Sequence, residues 1–107
     1  ALALARSLVD ENPFFPDAHL ALALVLRGRG EWDDCAEVCG RALELNPSFH
    51  QARVYLAEAL SRRGQWGESD FQLDAVLAVE PEHPLALALA RALRRRPRAA
   101  RTRPVPH

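Results

Sequence analysis

Leu and Ala alternate at Leu2 to Ala5, Leu20 to Leu24 and Leu85 to Ala90, which is the two-residue period of a half-buried strand. Ala and Leu are, however, among the strongest helix formers, so period and propensity disagree. On a helix, residues two apart are separated by about 200 degrees, and alternation then places apolar groups on two opposed faces. Leu22 and Leu26 form one i, i+4 row, and Leu20 and Leu24 form another on the far side. A helix that is apolar on both sides needs neighbouring helices or a partner.

Stop and start signals fix where these helices lie. A helix predicted over 17–29 opens on Pro16-Asp17 and ends at Gly30, which supplies a left-handed turn. The next, 32–45, carries Asp33 and Asp34 in its first turn, where they complement the helix dipole. Asn46-Pro47 stops it, because Pro disfavours helical geometry in the residue before it. The same grammar predicts helices over 50–63 and 66–79, closed by Glu80-Pro81.

Compared with itself at an offset of 34 residues, the chain aligns Pro13, Pro47 and Pro81, and Ala18, Ala52 and Ala86. Leu22 matches Leu56, Ala23 matches Ala57, Leu26 matches Leu60, Gly30 matches Gly64 and Trp32 matches Trp66. Ala1, Cys35 and Ser69 coincide as small residues, as close helix contact requires. The unit from Pro16 to Phe49 resembles a tetratricopeptide repeat (TPR), a 34-residue antiparallel helix pair. Its pattern stands as Leu22, Ala23, Leu26, Gly30, Trp32, Cys35, Cys39, Ala42, Leu43 and Pro47, and again as Leu56, Ala57, Leu60, Gly64, Trp66, Ser69, Leu73, Val76, Leu77 and Pro81.

The resemblance implies an all-α solenoid of about six helices. Residues 1–13 are read as the second helix of a truncated preceding repeat, 14–49 and 50–83 as two units, and 84–95 as a capping helix. In that last helix Arg91 and Arg94 replace the small and bulky positions, and a polar face closes the stack. The missing first half of the leading repeat implies a parent protein that continues towards its N-terminus, and the opening residues do not read as a signal peptide.

TPR arrays hold ligands in a concave channel lined by first helices. The positions so implied are Asp17, Leu20, Leu24 and Arg27, then Gln51, Val54, Glu58 and Arg62, then Ala88. Two readings of Leu20 and Leu24 compete: they are covered by neighbouring helices, or they form an apolar groove with Val54 and Ala88 that accepts a peptide or helix. The family's clamp for chaperone C-termini needs Lys, Asn and Arg, of which only Arg62 fits.

Composition narrows the chemistry. The 107 residues, 49% hydrophobic, suffice for one modest core, and the apolar run Leu20 to Leu26 is far too short to span a bilayer. The zero net charge hides a division: residues 1–90 hold seven Arg and fourteen acidic groups, and residues 91–107 hold seven Arg and no acid. Residues 96–107 read as a disordered Arg/Pro-rich tail. Binding of that tail to an acidic protein, nucleic acid or anionic lipid is the alternative, and its lack of aromatic groups disfavours nucleic acid. Cys35 and Cys39, four apart on one helix, favour reduced thiols and a cytoplasmic setting over a disulfide.

Cys35, Cys39 and His19 invite a zinc reading, but both Cys sit at packing positions where Cys acts as a small hydrophobe. The remaining histidines fall in turns or in the tail. No serine has an evident base, "RGRGEW" lacks the Lys-Ser/Thr of a phosphate loop, and Asp33, Asp34 and Glu37 read as a solvated face. No catalytic residue, metal or cofactor is therefore assigned. The expected function is a protein-interaction scaffold. The alternative is a recruiting or oligomerising module of a larger enzyme, and self-association through the repeat ends is a further expectation.

Overall fold

The structure is a computed structural model that describes residues 1–95; the expected tail at 96–107 lies outside them. Six helices follow in order: α1 (Leu2–Glu11), α2 (Pro16–Gly28), α3 (Trp32–Leu45), α4 (His50–Arg62), α5 (Trp66–Val79) and α6 (Pro84–Arg94). Among the described residues there is no strand, so helix propensity wins over the Leu-Ala alternation. Three helices end one residue short of expectation because Arg29, Arg63 and Arg95 serve as C-caps. The first ends at Glu11 rather than 13, since Asn12, just before a proline, donates both its amide and its side chain to the Leu8 carbonyl.

The two Gly turns are built identically. The Gly30 amide donates to the Arg27 carbonyl at 3.1 Å and the Glu31 amide to the Leu26 carbonyl at 3.0 Å. Gly64 and Gln65 repeat this with Ser61 and Leu60, at 3.1 and 2.9 Å. This crossed pair satisfies carbonyls that the helix end leaves open, and it requires a left-handed residue, here Gly30 at φ +72° and Gly64 at φ +80°. His83, which spacing places in a turn, also has a structural role at the start of α6. Its ring Nδ1 accepts the Ala86 amide at 3.3 Å and caps the helix.

Each helix packs chiefly on its neighbours in sequence, giving the pairs α2/α3 and α4/α5 with α1 and α6 at the ends. The inner helix α4 also touches both α2 and α6. The result is an elongated stack of 47 × 26 × 25 Å. Its first core joins Leu22, Ala23 and Leu26 to Cys35, Ala36 and Cys39, with Ala5 and Ala59 from either side. A second gathers Val54, Ala57, Leu73 and Val76 with Ala86, Ala90 and Leu93 of α6. A small third cluster, Leu20, Ala42 and Ala52, joins the first unit to the second. Arg91 and Arg94 are exposed on α6, where α2 and α4 bury Ala23, Leu26, Ala57 and Leu60. No helix among the described residues is long and apolar enough to cross a membrane.

The glycines separate two physical effects. Gly40 lies inside α3 with open space around a would-be Cβ, so Gly40→Ala is expected to stabilise the fold by about 0.5–1 kcal/mol. Gly30 also has open space but a positive φ, so Gly30→Ala is expected to destabilise by about 1 kcal/mol. Urea unfolding of both variants tests this, and equal signs would contradict it.

Candidate partner-binding surface

Of the expected concave positions, α2 and α4 bring Arg27 and Glu58 together, and only some of the others reach the surface. Leu24 is 39% exposed midway along α2. Leu20, one turn earlier, is 8% exposed and packs with Ala42 and Ala52, with Phe49 against the same cluster. Val54 is 1% exposed within the core shared by α4, α5 and α6. Of the two readings of the Leu20 and Leu24 row, cover by neighbouring helices holds for Leu20, Val54 is likewise covered, and Leu24 stays partly exposed. Leu20 and Val54 belong to the core because the helix that begins after each proline corner closes over them.

Arg27 and Glu58 meet across the two inner helices. Arg27 Nε donates to Glu58 Oε1, and its Nη2 lies 3.4 Å from Oε2. The carboxylate is nearly buried while the guanidinium stays partly in solvent, so the pair is only partly screened. The hydrogen bond that Arg27 donates to Glu58 outweighs desolvation and raises the Arg27 pKa above its already high ordinary value. The Arg27 guanidinium also lies over the Tyr55 ring, 5.1 Å from its centroid.

Sequence reasoning did not single out Tyr55. Its signal was available, because the matching position in the preceding unit is Ala21. Arg62 is exposed, and its guanidinium stands 5.2 Å from the centroid of the Trp32 ring. Its neighbour Arg63 bonds Asp33 at 2.9 Å, tying α4 to the start of α3. Asp17, Gln51 and Ala88 are exposed on α2, α4 and α6.

The cysteines serve packing. The Cys35 thiol donates to the Ala23 carbonyl at 3.5 Å, and 34 residues later the Ser69 hydroxyl donates to the Ala57 carbonyl at 2.7 Å. The same small polar group thus fastens second helix to first helix in both units. Cys39 is fully buried, and both its hydrogen bond to the Cys35 sulfur and its burial push its thiol pKa up. His19 bonds the Pro13 carbonyl through Nε2 at 2.8 Å. Among the described residues, no three His, Cys, Asp or Glu side chains are grouped to hold a metal ion.

A family model described as tetratricopeptide repeat matches residues 16–59, from the start of α2 into the last turn of α4. This segment belongs to the TPR family. In TPR terms the match covers one whole helix pair and the first helix of the next, and α4/α5 repeats the Gly turn and the small-residue contact of α2/α3. No curated protein matches the chain. TPR modules are generally non-catalytic interaction scaffolds, and residues 16–59 carry a repeat of that kind.

Because a raised pKa withholds the thiolate, Cys39 is expected to react with a thiol reagent at pH 8 at least about 100-fold more slowly in the folded protein than in denaturant. Mass-resolved alkylation of each cysteine checks this, and comparable folded and unfolded rates at Cys39 would refute it.

Proposed function

We propose that the chain binds a peptide or helical segment of a protein partner across its inner surface, with Leu24 as the apolar anchor. The carrying observation is that Leu24 is 39% exposed on an inner TPR helix, while Leu20 and Val54, the other large apolar positions of that surface, are packed away. Asp17, Gln51, Arg62 and Ala88 are exposed on the inner helices and supply the polar and small contacts of the surface. Glu58 and Arg27 satisfy one another, so they fix the shape of the surface rather than offering free charges. The two buried thiols, neither in a disulfide, support a reducing, cytoplasmic setting.

Self-association is a second reading, supported by Leu4 and Phe14, which are 69% and 80% exposed near the α1 end. Sedimentation across a concentration series tests it; a monomer throughout overturns it.

For the binding surface, peptides selected from a random display library on the full chain are expected to lose at least about tenfold in affinity for Leu24→Asp, with circular dichroism unchanged. Leu20→Asp is expected to destabilise the fold by about 3 kcal/mol or more, since it buries an unpaired carboxylate. Selected peptides that bind Leu24→Asp as they bind the parent chain would sink the groove reading.

A further inference from the structure

The outer helices carry a repeat-to-repeat difference that the fold does not require. On α3 the outward row is Glu37, Arg41, Glu44 and Leu45, with Arg41 bonding Glu37 at 3.4 Å. At the matching positions α5 has Phe71, Ala75, Ala78 and Val79. On α1 the same positions are Ala3, Ser7, Asp10 and Glu11, so among the three outer helices α5 alone is apolar along this row. Phe71 is 70% exposed and Val79 is 60% exposed. Packing within the stack therefore does not account for them.

The charges that α5 and its following corner supply have one sign, with Arg53 of α4 donating to Gln72 beside them at 2.6 Å. From Trp66 to Pro84 the sequence contains Glu68, Asp70, Asp74, Glu80 and Glu82 and no Arg or Lys. Asp70 and Asp74 stand exposed on either side of Phe71 along the helix. The corresponding stretch of α3 interleaves Arg41 among its acids and so neutralises part of its own field.

We infer that the outer face of α5 is a second docking surface, for a basic amphipathic helical segment of a partner protein. An apolar side chain of that segment covers Phe71, and its Arg or Lys groups meet Asp70 and Asp74. Charge complementarity selects the partner: an acidic or neutral apolar helix would bury these carboxylates without a counter-ion, whereas a basic one pairs them. The apolar row spans about two helical turns, which suits i, i+4 anchors on the incoming helix. This face belongs to an outer helix and does not depend on Leu24.

The test uses the full chain and a fluorescein-labelled probe peptide of repeated Leu-Arg-Ala-Arg units, read by anisotropy. Phe71→Ser is expected to weaken the probe about tenfold, and Asp70→Asn with Asp74→Asn to weaken it by a similar factor and to flatten its salt dependence. Circular dichroism is expected to be unchanged in these variants, and Leu24→Asp to leave the affinity unaltered. Unchanged affinity in Phe71→Ser overturns the inference, as does equal binding of a probe with Ser in place of Leu. Dimerisation of the parent chain that Phe71→Ser abolishes would also overturn it, by making a second copy the occupant.

Discussion

Close approach of the two helices within each unit is the constraint on which the rest of the structure depends. Ala23 faces Cys35, and Ala57 faces Ser69, with all four fully buried and the thiol or hydroxyl bonded to the facing carbonyl. A larger side chain at any of these points would force the helices apart, because a packed core absorbs even small added volume poorly. The bonding also explains how a polar Ser and a polarisable Cys serve one position. Each is small enough for the contact, and each has a donor that a carbonyl can accept.

From that contact the remaining geometry follows. The Gly turns bring the second helix back immediately, and the proline corners launch the next unit at the same place in each repeat. The inner helices α2 and α4 are then held together by Arg27 on Glu58, with the guanidinium stacked over Tyr55. This ion pair lies on the very surface proposed to bind a partner. A peptide laid across the inner face meets a paired charge whose cost of burial is already largely offset.

The fold was legible because several independent signals coincided: the offset of 34, the left-handed glycines, the prolines and the small residues at crossing points. Local patterns carry these, since they act within a turn or between sequence neighbours. The surface was less legible. Leu20 and Leu24 share one face of α2, and their spacing alone does not tell them apart. What separates them is that Phe49 and Ala52, about thirty residues on, close over Leu20 only. Likewise the partner of Glu58 lies 31 residues away on another helix, a distance at which residue spacing says little about pairing. Phe71 was visible as a departure from the repeat only once the outward row of each helix was known.

The neighbour-to-neighbour packing has a mechanical consequence. With α1 resting on α2, and α6 on α5 and α4, and no major contact among the described residues joining the first helix to the last, cohesion passes along the stack through near neighbours. Such a molecule behaves as a one-dimensional array. A local opening spreads only as far as the coupling between adjacent helices carries it. Helices packed on both sides, as α3 and α4 are, are then slower to exchange their amide protons than a helix packed on one.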